Sequence, residues 1–196
     1  METEKIIIKY LIENKKELTI RALANDIKKD YKIVNVATNR LIMKGILGKT
    51  NVGRSILISF NSKLTEEILV VEYQRRNEIL RNKNLNIIND IIRENLDTVN
   101  YILLLFGSYS MKKQNKNSDI DLMFIVNDEG AKGEKYEKKI GDIIDLFPKK
   151  VHPIVLNENE FRNMMDSKEK NVVKEVINNN IILHGIEAYY ELKNDK

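Results

Sequence analysis

Leu105-Phe106-Gly107-Ser108 and, after ten intervening residues, Asp119-Ile120-Asp121 form the stretch whose reading decides the fold. Apolar runs flank it: Val99 to Phe106 leads into the glycine, and Ile120 to Val126 follows the first aspartate. Near-continuous apolar runs of this length suit buried strands. Side chains two apart on a strand share a face, so Asp119 and Asp121 point the same way while Ile120 turns into the core. Two hard carboxylates facing solvent favour Mg²⁺ or Mn²⁺, which keep waters and take further ligands from phosphates. Gly107 permits close backbone approach at the strand end. Ser108, at the start of a helix, offers a hydroxyl and N–H groups to an anion. Lys112, Lys113 and Lys116 in the intervening loop are placed to offset negative charge.

Downstream, a polar segment at 128–135 leads to a helix ending near Phe147-Pro148. Val151 to Leu156 reads as a third strand, with Asn157 capping the next helix. Val172–Ile177, Ile181–Leu183 and a charged tail close the chain, and Tyr189 and Tyr190 in that tail are expected to pack on the domain. Upstream, Leu85 to Leu96 is amphipathic, with Ile87, Ile88, Ile91 and Ile92. Thr65 to Arg81 is strongly helical and reads as a connecting or dimerisation helix.

The first third has a different pattern. Ile7, Ile8, Leu11 and Ile12 recur at helical spacing. Thr19 reads as the N-cap of a short helix carrying Leu23, Ala24 and Ile27. A third helix, Ile33 to Lys44, is expected to bury Val36, Leu41 and Ile42 and to stop at Gly45. Two β-like runs, Ile46–Lys49 and Ser55–Phe60, flank a turn of Thr50-Asn51-Val52-Gly53. Three helices followed by a hairpin resemble the winged helix-turn-helix family. That resemblance makes Ile33–Lys44 the recognition helix, with Asn35, Thr38, Asn39 and Arg40 facing bases or phosphates and Lys44 in support. Lys49 and Arg54 of the wing would touch phosphate or minor groove.

Charge agrees with an anionic partner for this segment. Residues 1–62 hold 12 Lys and Arg against 6 Asp and Glu, whereas the remainder holds 21 against 23. The whole excess of the +4 chain therefore sits in the first third. A basic solvated surface would carry the same balance.

Composition excludes several classes. With 42% hydrophobic and 32% charged residues and only two prolines, the 196-residue chain is neither collagenous nor wholly disordered. No cysteine means no disulfide frame, thiolate nucleophile or cysteine zinc site. No apolar run reaches a membrane span, and the N-terminus lacks the pattern of a signal peptide, so a cytoplasmic chain with no membrane partner is expected.

The Gly-Ser, short helix and Asp-x-Asp order resembles the DNA-polymerase-β-like nucleotidyltransferase superfamily, in particular its small stand-alone members, the minimal nucleotidyltransferases. The resemblance covers roughly residues 85–186. Together the two resemblances imply an α+β chain: a winged helix-turn-helix at 1–62, a connecting helix at 63–84 and a nucleotidyltransferase-like domain at 85–196 with a small mixed sheet and flanking helices. The nucleotidyltransferase resemblance also implies an NTP substrate, ATP first, with Gly107, Ser108, Lys112 and Lys113 at the phosphates. Asp119 and Asp121 would hold Mg²⁺ or Mn²⁺, and an acceptor oxygen would attack the α-phosphate in line. Minimal members often belong to toxin–antitoxin pairs, which implies a protein partner modified by NMP transfer.

Two departures stand out. The family carries a third acidic residue on a later strand, where this chain reads Val151-His152-Pro153. His152 is open to two readings: a base or metal ligand, or a partly buried imidazole with no catalytic role. The segment after Ser108, Tyr109-Ser110-Met111, lacks the Arg-Gly common there. Glu158 and Glu160 would supply the missing acid only under a shifted register, and His184 reads as structural. Two functions follow. One is a metal-dependent nucleotidyltransferase fused to a double-stranded-DNA-binding winged helix. The other is a DNA-binding transcriptional regulator whose transferase-like domain is catalytically impaired and serves nucleotide sensing or oligomerisation. A winged helix reading a two-fold site implies a homodimer.

Overall fold

The computed structural model describes residues 2–53, 55–61, 63–127 and 133–194. The chain divides into two compact units, Met1–Val71 and Glu72–Lys196.

The first unit runs α1 (Glu2–Asn14), β1 (Leu18–Thr19), α2 (Ile20–Asp26), α3 (Tyr31–Met43), β2 (Leu47–Val52) and β3 (Ser55–Phe60). Polar caps start the helices: Thr19 Oγ1 accepts from Ala22 N, and Asp30 Oδ1 accepts from Lys32 N. Ile7, Ile8, Leu11, Leu23, Val34, Leu41, Ile46 and Ile58 form the fully buried core. The sheet order is β1-β3-β2, all antiparallel. β2 and β3 pair from Leu47↔Phe60 to Val52↔Ser55, so the strands extend through Thr50–Val52, where the sequence suggests a turn. Sequence pattern gives no sign of β1, which is too short to show a period and is held by Leu57 and Ile58.

α3 is rotated relative to the sequence expectation. Val34, Ala37, Thr38 and Leu41 are buried, a complete i, i+3, i+4, i+7 stripe. Val36 lies off that stripe and is 52% exposed, with Tyr31, Ile33 and Met43 also outward. Thr38, expected to face DNA, is fully buried instead.

α4 (Glu66–Ile79) contains the division between the units, which falls at Val71/Glu72. The second unit continues with α5 (Lys83–Asn95), β4 (Tyr101–Phe106), α6 (Gly107–Ser110), β5 (Ile120–Val126), α7 (Gly133–Asp145) and β6 (Val151–Asn157). α8 (Glu158–Asp166), α9 (Val172–Asn178), β7 (Ile181–His184) and α10 (Ile186–Asn194) complete it. The strand order is β6-β5-β4-β7. β4 pairs antiparallel with β5 and β7, and β5 pairs parallel with β6 after the α7 crossover.

All six residues of β4 are buried, as its unbroken apolar run requires. Leu103, Leu105, Leu122 and Phe124 share one cluster with Leu85, Ile88 and Ile92 of α5 and Ile140, Ile143 and Ile144 of α7. Val99 is 79% exposed and outside the strand. The charged tail is helical: α10 buries Ile186, Tyr189, Tyr190 and Leu192. No helix among the described residues is long and apolar enough to cross a membrane.

Candidate active site

Strand pairing brings the site together. Phe106 is opposite Asp121 across β4 and β5, and Asp121 is opposite His152 across β5 and β6. The end of β4, the start of β5 and the start of β6 thus converge on one edge.

Gly107 turns the chain at φ +66°. A Cβ there would lie 2.1 Å from Asp121 Oδ2, a distance no side chain tolerates, so only glycine leaves the carboxylate its place. Ser108 follows in the one-turn α6, which Ser110 Oγ ties down by donating to Gly107 O (2.9 Å) and Asn179 O (3.3 Å). Asp119 immediately precedes β5, where Ile120 is buried and donates its N–H to Lys150 O at 3.1 Å.

His152 stands between the two carboxylates. Its Nδ1 lies 3.4 Å from Asp121 Oδ1 and its Nε2 3.6 Å from Asp119 Oδ2. Lys150 Nζ donates to Asp119 Oδ2 at 3.2 Å. The aspartates are about a quarter to a third exposed and the lysine far more so. This is a screened, solvent-facing pair that adjusts local charge more than it stabilises the fold.

Lys112 and Lys113 are exposed in the turn after α6, where Lys113 N donates to Ser108 O at 2.9 Å. Among the described residues neither ammonium has an ion-pair partner. Lys149 lies over the Tyr109 ring at 5.4 Å and donates to Lys116 O at 3.3 Å. Lys149 and Lys150 do not stand out in the sequence. Their signal is that two lysines lead directly into the strand that pairs with Asp121.

Glu158 and Glu160 lie at the far end of β6, because Val151 pairs with Ile120 and Asn157 with Val126. Glu160 Oε2 accepts from Asn157 N and Asn157 Oδ1 from Glu160 N, a capping box that assigns this acid to the α8 terminus. Neither glutamate replaces the third acid. His184 is structural: its Nε2 lies 3.0 Å from Val99 O, and its ring stacks on Tyr101.

Whether the residues suit a divalent cation is decided by the donor set. Among the described residues no three His, Cys, Asp or Glu side chains form a group that could hold a metal. The chain offers two carboxylates, and the missing Cβ of Gly107 keeps Asp121 Oδ2 clear. That set fits Mg²⁺ or Mn²⁺, held by one or two carboxylates with the remaining positions given to phosphate and water.

Residues 85–179 match the family model described as a nucleotidyltransferase domain. The groups from Gly107 to His152 fall inside the matched residues. No curated protein matches the chain. One matching solved structure is described as the crystal structure of the toxin-antitoxin with AMP-PNP. The match has 23% identity, covers 55% of this chain and 77% of that chain, and has a TM-score of 0.34.

The residues expected to meet DNA are separately placed in the first unit. Asn39 Nδ2 donates to Asn35 O at 2.9 Å on α3, and Asn39 and Arg40 are exposed. Arg40 lies 3.8 Å from the buried Glu4. Lys44 lies 3.8 Å from Glu4 and 2.8 Å from Glu67, whose hydrogen bond raises the lysine pKa above its ordinary value. Lys49 is exposed on β2. Arg54 lies outside the described residues. Thr38 cannot reach a duplex, because its hydroxyl is buried; among the described residues it has no hydrogen-bond partner.

Proposed function

We propose that residues 85–196 form a metal-dependent nucleotidyltransferase that moves an NMP from an NTP, ATP in the first instance, to an acceptor hydroxyl. The observation that carries this reading is that Asp119 and Asp121, at the start of β5, both lie within 3.6 Å of the His152 ring, with Gly107 bare against Asp121 Oδ2. Asp119 and Asp121 would hold Mg²⁺ or Mn²⁺, which would supply charge neutralisation at the phosphate oxygens. Ser108 and the first turn of α6 orient the phosphates, while Lys112, Lys113 and Lys150 offset their charge. The acceptor oxygen forms its bond to the α-phosphorus as the bond to pyrophosphate breaks. His152, in the position of the family's third acid, takes the acceptor proton.

Radiolabel transfer from each NTP to candidate acceptors, a protein partner included, tests this reading. Asp119→Asn and Asp121→Asn should each abolish transfer in a folded chain. Wild-type transfer in both would refute it.

One observation favours a second reading. Both ring nitrogens of His152 face carboxylates, so neither is directed at an acceptor. In that reading the domain senses nucleotide, the chain is a transcriptional regulator, and NTP binds without turnover.

For residues 1–62 we propose a winged helix-turn-helix, with α3 as recognition helix and the β2–β3 hairpin as wing. The helix order and the basic charge of this segment support it. Asn35, Asn39 and Lys49 meet double-stranded DNA, and Arg40 and Lys44 exchange Glu4 and Glu67 for phosphate oxygens on binding. A homodimer would match a two-fold operator.

A further inference from the structure

The parallel register of β5 and β6 sets nitrogen-bearing side chains against the two carboxylates. Ile120 pairs with Val151 and Asp121 with His152, and Ile120 N donates to Lys150 O at 3.1 Å. Asp119 and Lys150 therefore each stand one residue before their strand, side by side. Lys150 Nζ donates to Asp119 Oδ2 at 3.2 Å, and His152 Nε2 lies 3.6 Å from the same oxygen. His152 Nδ1 faces Asp121 Oδ1 at 3.4 Å.

Lys150 thus occupies an oxygen that the transferase reading gives to a divalent cation. Its side chain is 67% exposed, and an ion pair so open to water is weak enough to exchange. The adjoining lysine is placed differently. Lys149 Nζ donates to Lys116 O at 3.3 Å and lies over the Tyr109 ring at 5.4 Å. Lys150 is therefore the lysine of this pair whose partner is a carboxylate of the site.

We propose that Lys150 is a transferable counter-cation. It neutralises Asp119 in the nucleotide-free chain and passes to a phosphate oxygen when the carboxylates take up a metal–nucleotide. The proposal rests on the transferase reading of the same site. Asp119 and Asp121 are like charges two residues apart, and Lys150 offsets their repulsion while no metal is bound. The same ammonium competes for Asp119 Oδ2, so it lowers the affinity for a metal ion alone. Once released it makes a charge-assisted hydrogen bond to phosphate and raises the affinity for nucleotide. Metal and nucleotide consequently bind better together than either does separately.

Two measurements on the full chain test it together. One is Mn²⁺ binding without nucleotide, read by electron paramagnetic resonance; the other is calorimetric titration of ATP, GTP, CTP and UTP at saturating Mg²⁺. Lys150→Ala should bind Mn²⁺ about two- to fivefold more tightly than wild type. It should bind the NTP at least about threefold more weakly. A merely structural lysine would not move the two affinities in opposite directions. Lys150→Arg should stay close to wild type in both. Lys149→Ala removes the same charge one residue away without touching a carboxylate, and it should leave Mn²⁺ affinity unchanged. Mn²⁺ affinity that Lys150→Ala leaves unchanged or weakens would overturn the proposal, as would Mn²⁺ binding by neither protein. So would an equal gain in Lys149→Ala, or NTP binding that Lys150→Ala does not weaken. A wild type that binds no NTP with metal would refute the transferase reading and this proposal with it, whereas NTP binding without the opposed shifts refutes the proposal alone.

Discussion

A Cβ at position 107 would meet Asp121 Oδ2 on a backbone already in the left-handed region. Gly107→Ala should therefore displace the carboxylate and reduce metal-dependent NTP binding by more than about tenfold. The backbone itself should lose only about 1–2 kcal/mol, read as a modest fall in Tm. Unchanged NTP affinity in the folded variant would contradict this role for the glycine. His152 faces both carboxylates, so His152→Asp should add a third acid there and lower the Mg²⁺ concentration needed for half-maximal NTP binding. An unchanged or raised requirement would show that the third position is not at 152. Thr38 gives a prediction of opposite sign. Its buried hydroxyl has no partner among the described residues, so Thr38→Val should be neutral or stabilising by up to about 1 kcal/mol in chemical denaturation. Gly107, Asp119 and Asp121 were legible in the sequence because residue type, spacing and flanking apolar runs all point to one strand-edge geometry. Lys150 was not, since its place beside Asp119 depends on the parallel register of β5 and β6, which local pattern does not reveal. Thr38 was misjudged because Val36 suggested another helix phase, and the true stripe includes a threonine.

At the scale of elements, a buried polar network joins α4, α10 and the α9–β7 connection. Arg75 pairs with Glu72, Tyr190 Oη donates to Glu72 Oε1 at 2.8 Å, and Arg75 Nη2 donates to Asn180 O at 2.7 Å. Glu72, Arg75 and Asn180 are all nearly inaccessible. Arg75→Met would leave Glu72 as an uncompensated buried charge, so it should cost about 3–5 kcal/mol by urea denaturation. A loss under about 1 kcal/mol would show that the network is solvated. Burial, reinforced by Glu72, holds the Tyr190 pKa well above its ordinary value. The folded chain therefore keeps this proton where the unfolded chain has lost it. Stability present below about pH 10 should fall as pH rises beyond it. Tyr190→Phe should flatten that alkaline slope, and an unaltered slope would assign it elsewhere. The sequence reveals the long helices and the apolar strands, whose periods are clear. It conceals β1, which is two residues long, and α10, whose apolar positions lie within a charged tail.

Across the whole molecule, the excess of basic residues lies in residues 1–62. The division inside α4 was not legible, because both halves of that helix bury residues and no Gly- or Pro-rich linker marks the boundary. The N-terminal reading predicts that duplex affinity falls linearly with salt on logarithmic axes. Arg40→Ala and Lys49→Ala should each reduce the slope by about one unit. Affinity indifferent to salt and to both variants would remove DNA from the account. The central claim concerns the aspartate pair, and calorimetric titration tests it without knowledge of the acceptor. ATP, GTP, CTP and UTP are titrated with and without Mg²⁺ into wild type and Asp119→Asn/Asp121→Asn. The account predicts that at least one NTP binds wild type only with metal and does not bind the double variant; failure of all four to bind wild type with metal, or equal binding by both proteins, would contradict it.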